Sequence, residues 1–90
     1  MSDNTPETVL EFPCDFPIKA FGLASDGFPL RVLDIIRRHA PTTGIESMSS
    51  RTSGGGKYQS ITITIHAENK AQLDAIYQEL TASPDVIMSL

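Results

Sequence analysis

Ser53-Gly54-Gly55-Gly56-Lys57-Tyr58-Gln59-Ser60-Ile61-Thr62-Ile63-Thr64-Ile65-His66 is the stretch that decides the fold. Ile61, Ile63 and Ile65 fall on one side of a period-2 pattern. Tyr58, Ser60, Thr62, Thr64 and His66 fall on the other. That alternation predicts a strand over 57–66 with one face buried and one face open. The glycine run before it suits a loop that needs positive φ. A weaker alternation covers 44–52, with Ile45, Ser47 and Ser49 against Glu46, Met48 and Ser50. Two alternating runs joined by a glycine loop predict a hairpin.

A hairpin buried on one face needs helices to cover its isoleucines, and the chain supplies one on each side. From Phe28 the apolar residues Leu30, Val32, Leu33, Ile35 and Ile36 are interspersed with Arg31, Asp34, Arg37 and Arg38, which is helical spacing. Asp26 is placed to cap this helix and Pro29 suits its first turn. Arg37, Arg38 and His39 sit where the helix dipole favours positive charge, and Pro41 ends the run. After the hairpin, Leu73, Ile76, Tyr77 and Leu80 form the stripe of a second helix over 69–81, with Asn69 as its cap.

Strands complete both ends. Over 17–23, Ile18, Ala20 and Gly22 share one face, and Lys19, Phe21 and Leu23 the other. The segment 10–17 carries Phe12 and Phe16 between two prolines and is expected to dock in extended form against the domain. Residues 1–9 read as a disordered tail. Ser83-Pro84-Asp85 is a break, and 86–90 a last strand. The order is β-α-β-β-α-β. Its simplest packing is the ferredoxin-like α+β fold, a four-stranded antiparallel sheet with both helices on one face and a single domain over 10–90.

Composition limits the function. The chain has 90 residues, 40% of them hydrophobic, and a net charge of −4. That charge argues against general nucleic-acid binding, whose affinity comes mainly from phosphate neutralisation. Cys14 is the only cysteine, so no internal disulfide forms, which fits a reducing, cytoplasmic setting. Residues 1–11 lack the pattern of a signal peptide, and no apolar run approaches the roughly 20 residues of a membrane span. Cys14, His39 and His66 fall in separate elements without metal-ligand spacing, so neither a metal nor a cofactor is expected. No nucleophile elbow occurs, and Asp15 beside Cys14 disfavours a thiolate. We therefore expect no enzymatic activity. The loop 53–57 lacks Walker spacing and leads into a strand, so it is read as a hairpin loop whose Arg51 and Lys57 are free to meet an anion.

The ordered pieces together resemble the YbeD-like family, small bacterial proteins of unknown function. They are Leu10-Glu11-Phe12-Pro13, Phe16-Pro17-Ile18-Lys19-Ala20-Phe21-Gly22, Arg38-His39-Ala40-Pro41, Ser53 to Ile63, Ile76-Tyr77-Gln78-Glu79-Leu80 and Val86-Ile87-Met88-Ser89-Leu90. The resemblance spans 10–90 and implies a ferredoxin-like fold similar to ACT-type regulatory domains. It brings no catalytic or binding residues. The ACT similarity implies pairing of domains, as in a homodimer, and a small effector near the turn after the first strand, here 22–27 with Asp26.

The expected function is a non-catalytic regulatory or adaptor domain that binds a protein partner or small metabolite. Its candidate surface comprises Lys19, Phe21, Tyr58 and Ser60 on the open sheet face. Arg51 and Lys57 beside the glycine loop, and Asp26 in the turn, complete it, with Ile87 expected beside Phe21. The alternative is nucleic-acid binding through Arg31, Arg37, Arg38, Arg51 and Lys57.

Overall fold

The computed structural model describes residues 11–90, and the tail expected over 1–9 lies outside them, as does Leu10. Strand β1 (Cys14–Leu23) leads to helix α1 (Phe28–His39). A short 3₁₀ turn (Ile45–Ser47) then precedes β2 (Met48–Thr52). The hairpin closes with β3 (Tyr58–Ala67), followed by α2 (Lys70–Ala82) and β4 (Met88–Ser89). The sheet order is β2-β3-β1-β4 and every pairing is antiparallel. This is the ferredoxin-like arrangement that the element order predicts.

The alternation in the decisive strand is realised in full. Ile61, Ile63 and Ile65 are buried, with Ile18 and Ala20 beside them on β1. Helix α1 lays Phe28, Val32, Leu33, Ile35 and Ile36 on that face, and α2 adds Leu73, Ile76 and Leu80. Each fully buried Ile or Leu contributes about 2 kcal/mol relative to exposure. Gly22 lets Phe28 cross β1. A Cβ there would lie 2.6 Å from the ring's Cε1, and nearer still to the Asp85 carbonyl oxygen.

The two helices are also tied at their ends. Asn69 caps α2, its Oδ1 accepting the Gln72 N–H at 2.8 Å. The Gln72 side chain accepts the Glu68 N–H at 2.7 Å and donates to the His39 carbonyl at 2.9 Å. That last bond satisfies one of the carbonyls left open at the end of α1. Glu79 of α2 meets both Arg38 and His39, the latter at 2.7 Å.

Four local expectations change. Strand β1 begins at Cys14 rather than residue 17, because Asp15 and Pro17 pair with His66 and Thr64 at the far end of β3. The docking segment is thereby partly absorbed into the sheet, and Phe12 and Phe16 pack against the core. Asp26 does not cap α1. The cap is Gly27, without a side-chain bond, and Arg31 reaches back to Ser25 Oγ at 3.2 Å instead. The first half of 44–52 curls into the 3₁₀ turn, leaving Ile45 exposed, since the chain must bend before joining β3. Finally, β4 is only two residues long by its ladder, although Lys19 and Leu90 also exchange backbone bonds of 3.0 and 2.8 Å.

Candidate functional site

The helices cover one side of the sheet; the other side carries the candidate surface. Directly paired residues on adjacent strands share a face. The register therefore draws a row across all four strands: Arg51 of β2, Ser60 of β3, Phe21 of β1 and Met88 of β4. A parallel row holds Ser49, Thr62 and Lys19, with Leu90 bonded to Lys19 at its end. Beyond Phe21, Leu23 pairs with Tyr58.

A shallow hollow of ≈ 350 Å³ opens where these rows meet the glycine loop. Phe21, Tyr58, Arg51, Ser60, Ser53 and Gly54 are among the residues that line it. The loop holds its shape through Gly56 at φ 74° and the bond from Gly56 N–H to the Ser53 carbonyl. Lys57 places its ammonium 5.5 Å from the centre of the Tyr58 ring, within cation–π range. Around the hollow the sheet shows large apolar side chains to solvent. Leu23 is 56% exposed, Tyr58 45%, Met88 51% and Leu90 60%.

Of the candidates read from sequence, Phe21, Tyr58, Ser60 and Arg51 come together in the hollow, with Lys57 at its rim and Lys19 one row away. Asp26 does not join them; it lies in the exposed turn before α1. The basic set Arg31, Arg37, Arg38, Arg51 and Lys57 is also divided, because α1 holds the first three on the opposite side of the sheet. Ile87 yields its expected place to Met88, the register partner of Phe21. Val86 packs on the core two residues before Met88, so the alternation breaks at Ile87, whose N–H donates to the Phe21 carbonyl at 2.7 Å. Leu23, Met88 and Leu90 were not singled out from sequence as part of the surface. Leu23 had a signal in the alternation of β1; the other two depend on that break.

The turn suggested by the ACT similarity borders a second cavity of ≈ 370 Å³, lined by Ser25, Phe28, Arg31, Asp85 and Ile87 among others. Its charged groups satisfy each other: Arg31 Nε meets the Asp85 carboxylate at 2.8 Å. Among the described residues no cluster of three or more His, Cys, Asp or Glu is arranged to hold a metal. Likewise, no helix there is long and apolar enough to cross a membrane.

Comparison with known proteins agrees with this architecture. The model of a family described as "Protein of unknown function (DUF493)" matches residues 7–90. A UPF0250 protein of Nitrosomonas europaea is 43% identical over 86 residues, which is 96% of this chain and 99% of that protein. A UPF0250 protein of Chromobacterium violaceum is 40% identical over 90 residues and the full length of both. Among solved structures, protein HP0495 of Helicobacter pylori superposes with a TM-score of 0.68 at 14% identity, covering 99% of this chain and 98% of that one. At that identity the likeness concerns the fold. The YbeD-like resemblance read from the sequence is borne out.

Proposed function

The chain belongs to the family of proteins of unknown function DUF493, and on that premise we propose that it is a non-catalytic, cytoplasmic adaptor or regulatory domain that docks a protein on its open sheet face. The observation that carries this reading is the continuous apolar surface of Phe21, Leu23, Tyr58, Met88 and Leu90 around the hollow. Contiguous exposed apolar surface of this kind is characteristic of protein interaction sites. The hollow favours a protein over a metabolite. It is at the small end of ligand pockets and too open to bury most of a small molecule's surface. The exposed side chains are mainly aliphatic, which favours a protein over stacked bases.

The non-catalytic reading is supported by the disposition of the ionisable groups. Among the described residues the close pairs, Arg31–Asp85, Lys70–Asp74, His66–Asp15, Arg38 with Asp34 and Glu79, and His39–Glu79, are surface pairs or inter-helix ties.

Photo-crosslinking in the native host tests the reading. A crosslinking residue at position 23 or 58 is expected to trap discrete protein adducts, while one at Arg37 on the helix side traps none. Equal labelling from both faces, or adducts from the helix side alone, would overturn the sheet-face reading. Native mass spectrometry separates the other occupants. A small bound mass unaffected by Tyr58→Ser would favour a metabolite elsewhere, and a dimer abolished by that change would favour a second copy.

A further inference from the structure

We propose that the segment docking on this face is acidic as well as apolar: a protein stretch that sets a carboxylate on Arg51 and Lys57 while an adjacent aliphatic or aromatic side chain enters the Phe21–Tyr58 hollow. The inference rests on the sheet-face reading and adds the chemistry of the partner.

Charge placement carries it. The chain has seven Lys and Arg against eleven Asp and Glu, so it is negative as a whole. On the helix side Arg31, Arg38 and Lys70 each meet a carboxylate, and Arg37 alone there meets none within 4.0 Å among the described residues. Lys19, Arg51 and Lys57 meet none within 4.0 Å among the described residues, and all three border the same apolar surface. Among the described residues of the strands, the acid on this face is Asp15. It sits at the far end of the sheet, opposite His66 and six residues from Phe21 along β1. One end of the face is thus positive and apolar on a protein that is negative as a whole.

Such a surface attracts acidic partners and repels basic ones. Direct stacking of one positive end on its counterpart in a second copy would oppose like charges. An acidic segment removes that conflict. The apolar surface supplies most of the contact energy, and the three cations select among segments that could fill it.

A random dodecapeptide display library, selected on the immobilised full chain, provides the probe. The expected result is enrichment of peptides combining Asp or Glu with Leu, Ile or Phe. The best of them, made synthetically, should shift the amide resonances of Phe21, Arg51, Tyr58 and Ser60. Replacing its acids by Asn and Gln, or introducing Arg51→Glu with Lys57→Glu, should weaken binding about tenfold. Both cations are exposed, so the charge-reversal variant should keep the fold, which its far-UV CD checks.

Enriched peptides that are neutral or basic, yet lose binding in Tyr58→Ser and Leu23→Ser, would overturn the acidic preference and leave the sheet-face reading standing. Enriched peptides indifferent to those two variants, or no enrichment at all, would overturn both. Self-association in sedimentation that Arg51→Glu abolishes would assign the face to a second copy, against this inference. A single-stranded oligonucleotide that perturbs the same resonances more strongly than the peptide would also overturn it.

Discussion

Gly22→Ala is the substitution for which the structure makes the sharpest quantitative statement. Gly22 is buried in β1 with the Phe28 ring across it and the connection from α2 to β4 alongside. An added Cβ would sit 2.6 and 2.7 Å from Cε1 and Cζ of Phe28, and closer again to the Asp85 carbonyl oxygen. Phe28 is 1% exposed, so its ring has no solvent to swing into. Asp85 O belongs to the main chain, so relieving it means moving the backbone that leads into β4. Overpacking of a tight site costs about 1–3 kcal/mol, and two rigid obstacles place this site toward the upper end. The lower entropy of the unfolded alanine chain returns about 0.5 kcal/mol. A net loss of about 2 kcal/mol follows, which lowers Tm by about 8–16 °C for a domain of this size.

Urea unfolding followed by far-UV CD should show a lower midpoint with an unchanged m value. Gly55→Ala is the control. Nothing lies within 4 Å of the Cβ it would add, and its φ is not positive; it should stay within about 0.5 kcal/mol of the parent. Adding Phe28→Leu to Gly22→Ala removes the ring contact but not the carbonyl, so it should not restore the midpoint. A Gly22→Ala protein as stable as the parent would refute the claim that β1, α1 and the α2–β4 connection meet rigidly at this point.

Three further outcomes follow from the same packing. Asn69→Ala should cost about 1 kcal/mol by removing the acceptor for the Gln72 N–H, read as a lower urea midpoint. Glu79→Gln should cost about 0.5–1 kcal/mol. Arg38 is more than half exposed, so part of its attraction is screened, and the loss should shrink further in high salt. Burial pushes the Tyr77 phenol above its usual value of 10.0. A phenol whose pKa is raised on folding holds its proton more tightly in the native state. Its contribution is present below pH 10 and is lost as pH rises through the higher native value. Tyr77→Phe should therefore flatten the fall of thermal stability above pH 10.

The amino-acid sequence by itself determined both helices and the two central strands, and which side of each is buried. The spacing of Ile61, Ile63 and Ile65, of Val32 and Ile36, and of Leu73, Ile76 and Leu80 is a local signal. A strand or helix converts such spacing into a face without reference to the rest of the chain. Asn69 and the glycine turn were legible for the same reason, since a cap and a positive-φ turn act within a few residues, while the structure puts the positive φ at Gly56. Asp26 was misread because capping competes with tertiary contacts: Arg31 engages Ser25 and Asp85 at that end of α1. Candidate residues could be named from their alternation, but their neighbours could not. Only the tertiary structure put Arg51, Ser60, Phe21 and Met88 in one row and sent Arg31, Arg37 and Arg38 to the opposite side. Register is fixed by pairing between strands far apart in the chain, and by the break in alternation at Ile87. A shift of one residue would have turned every side chain of a strand to the other face.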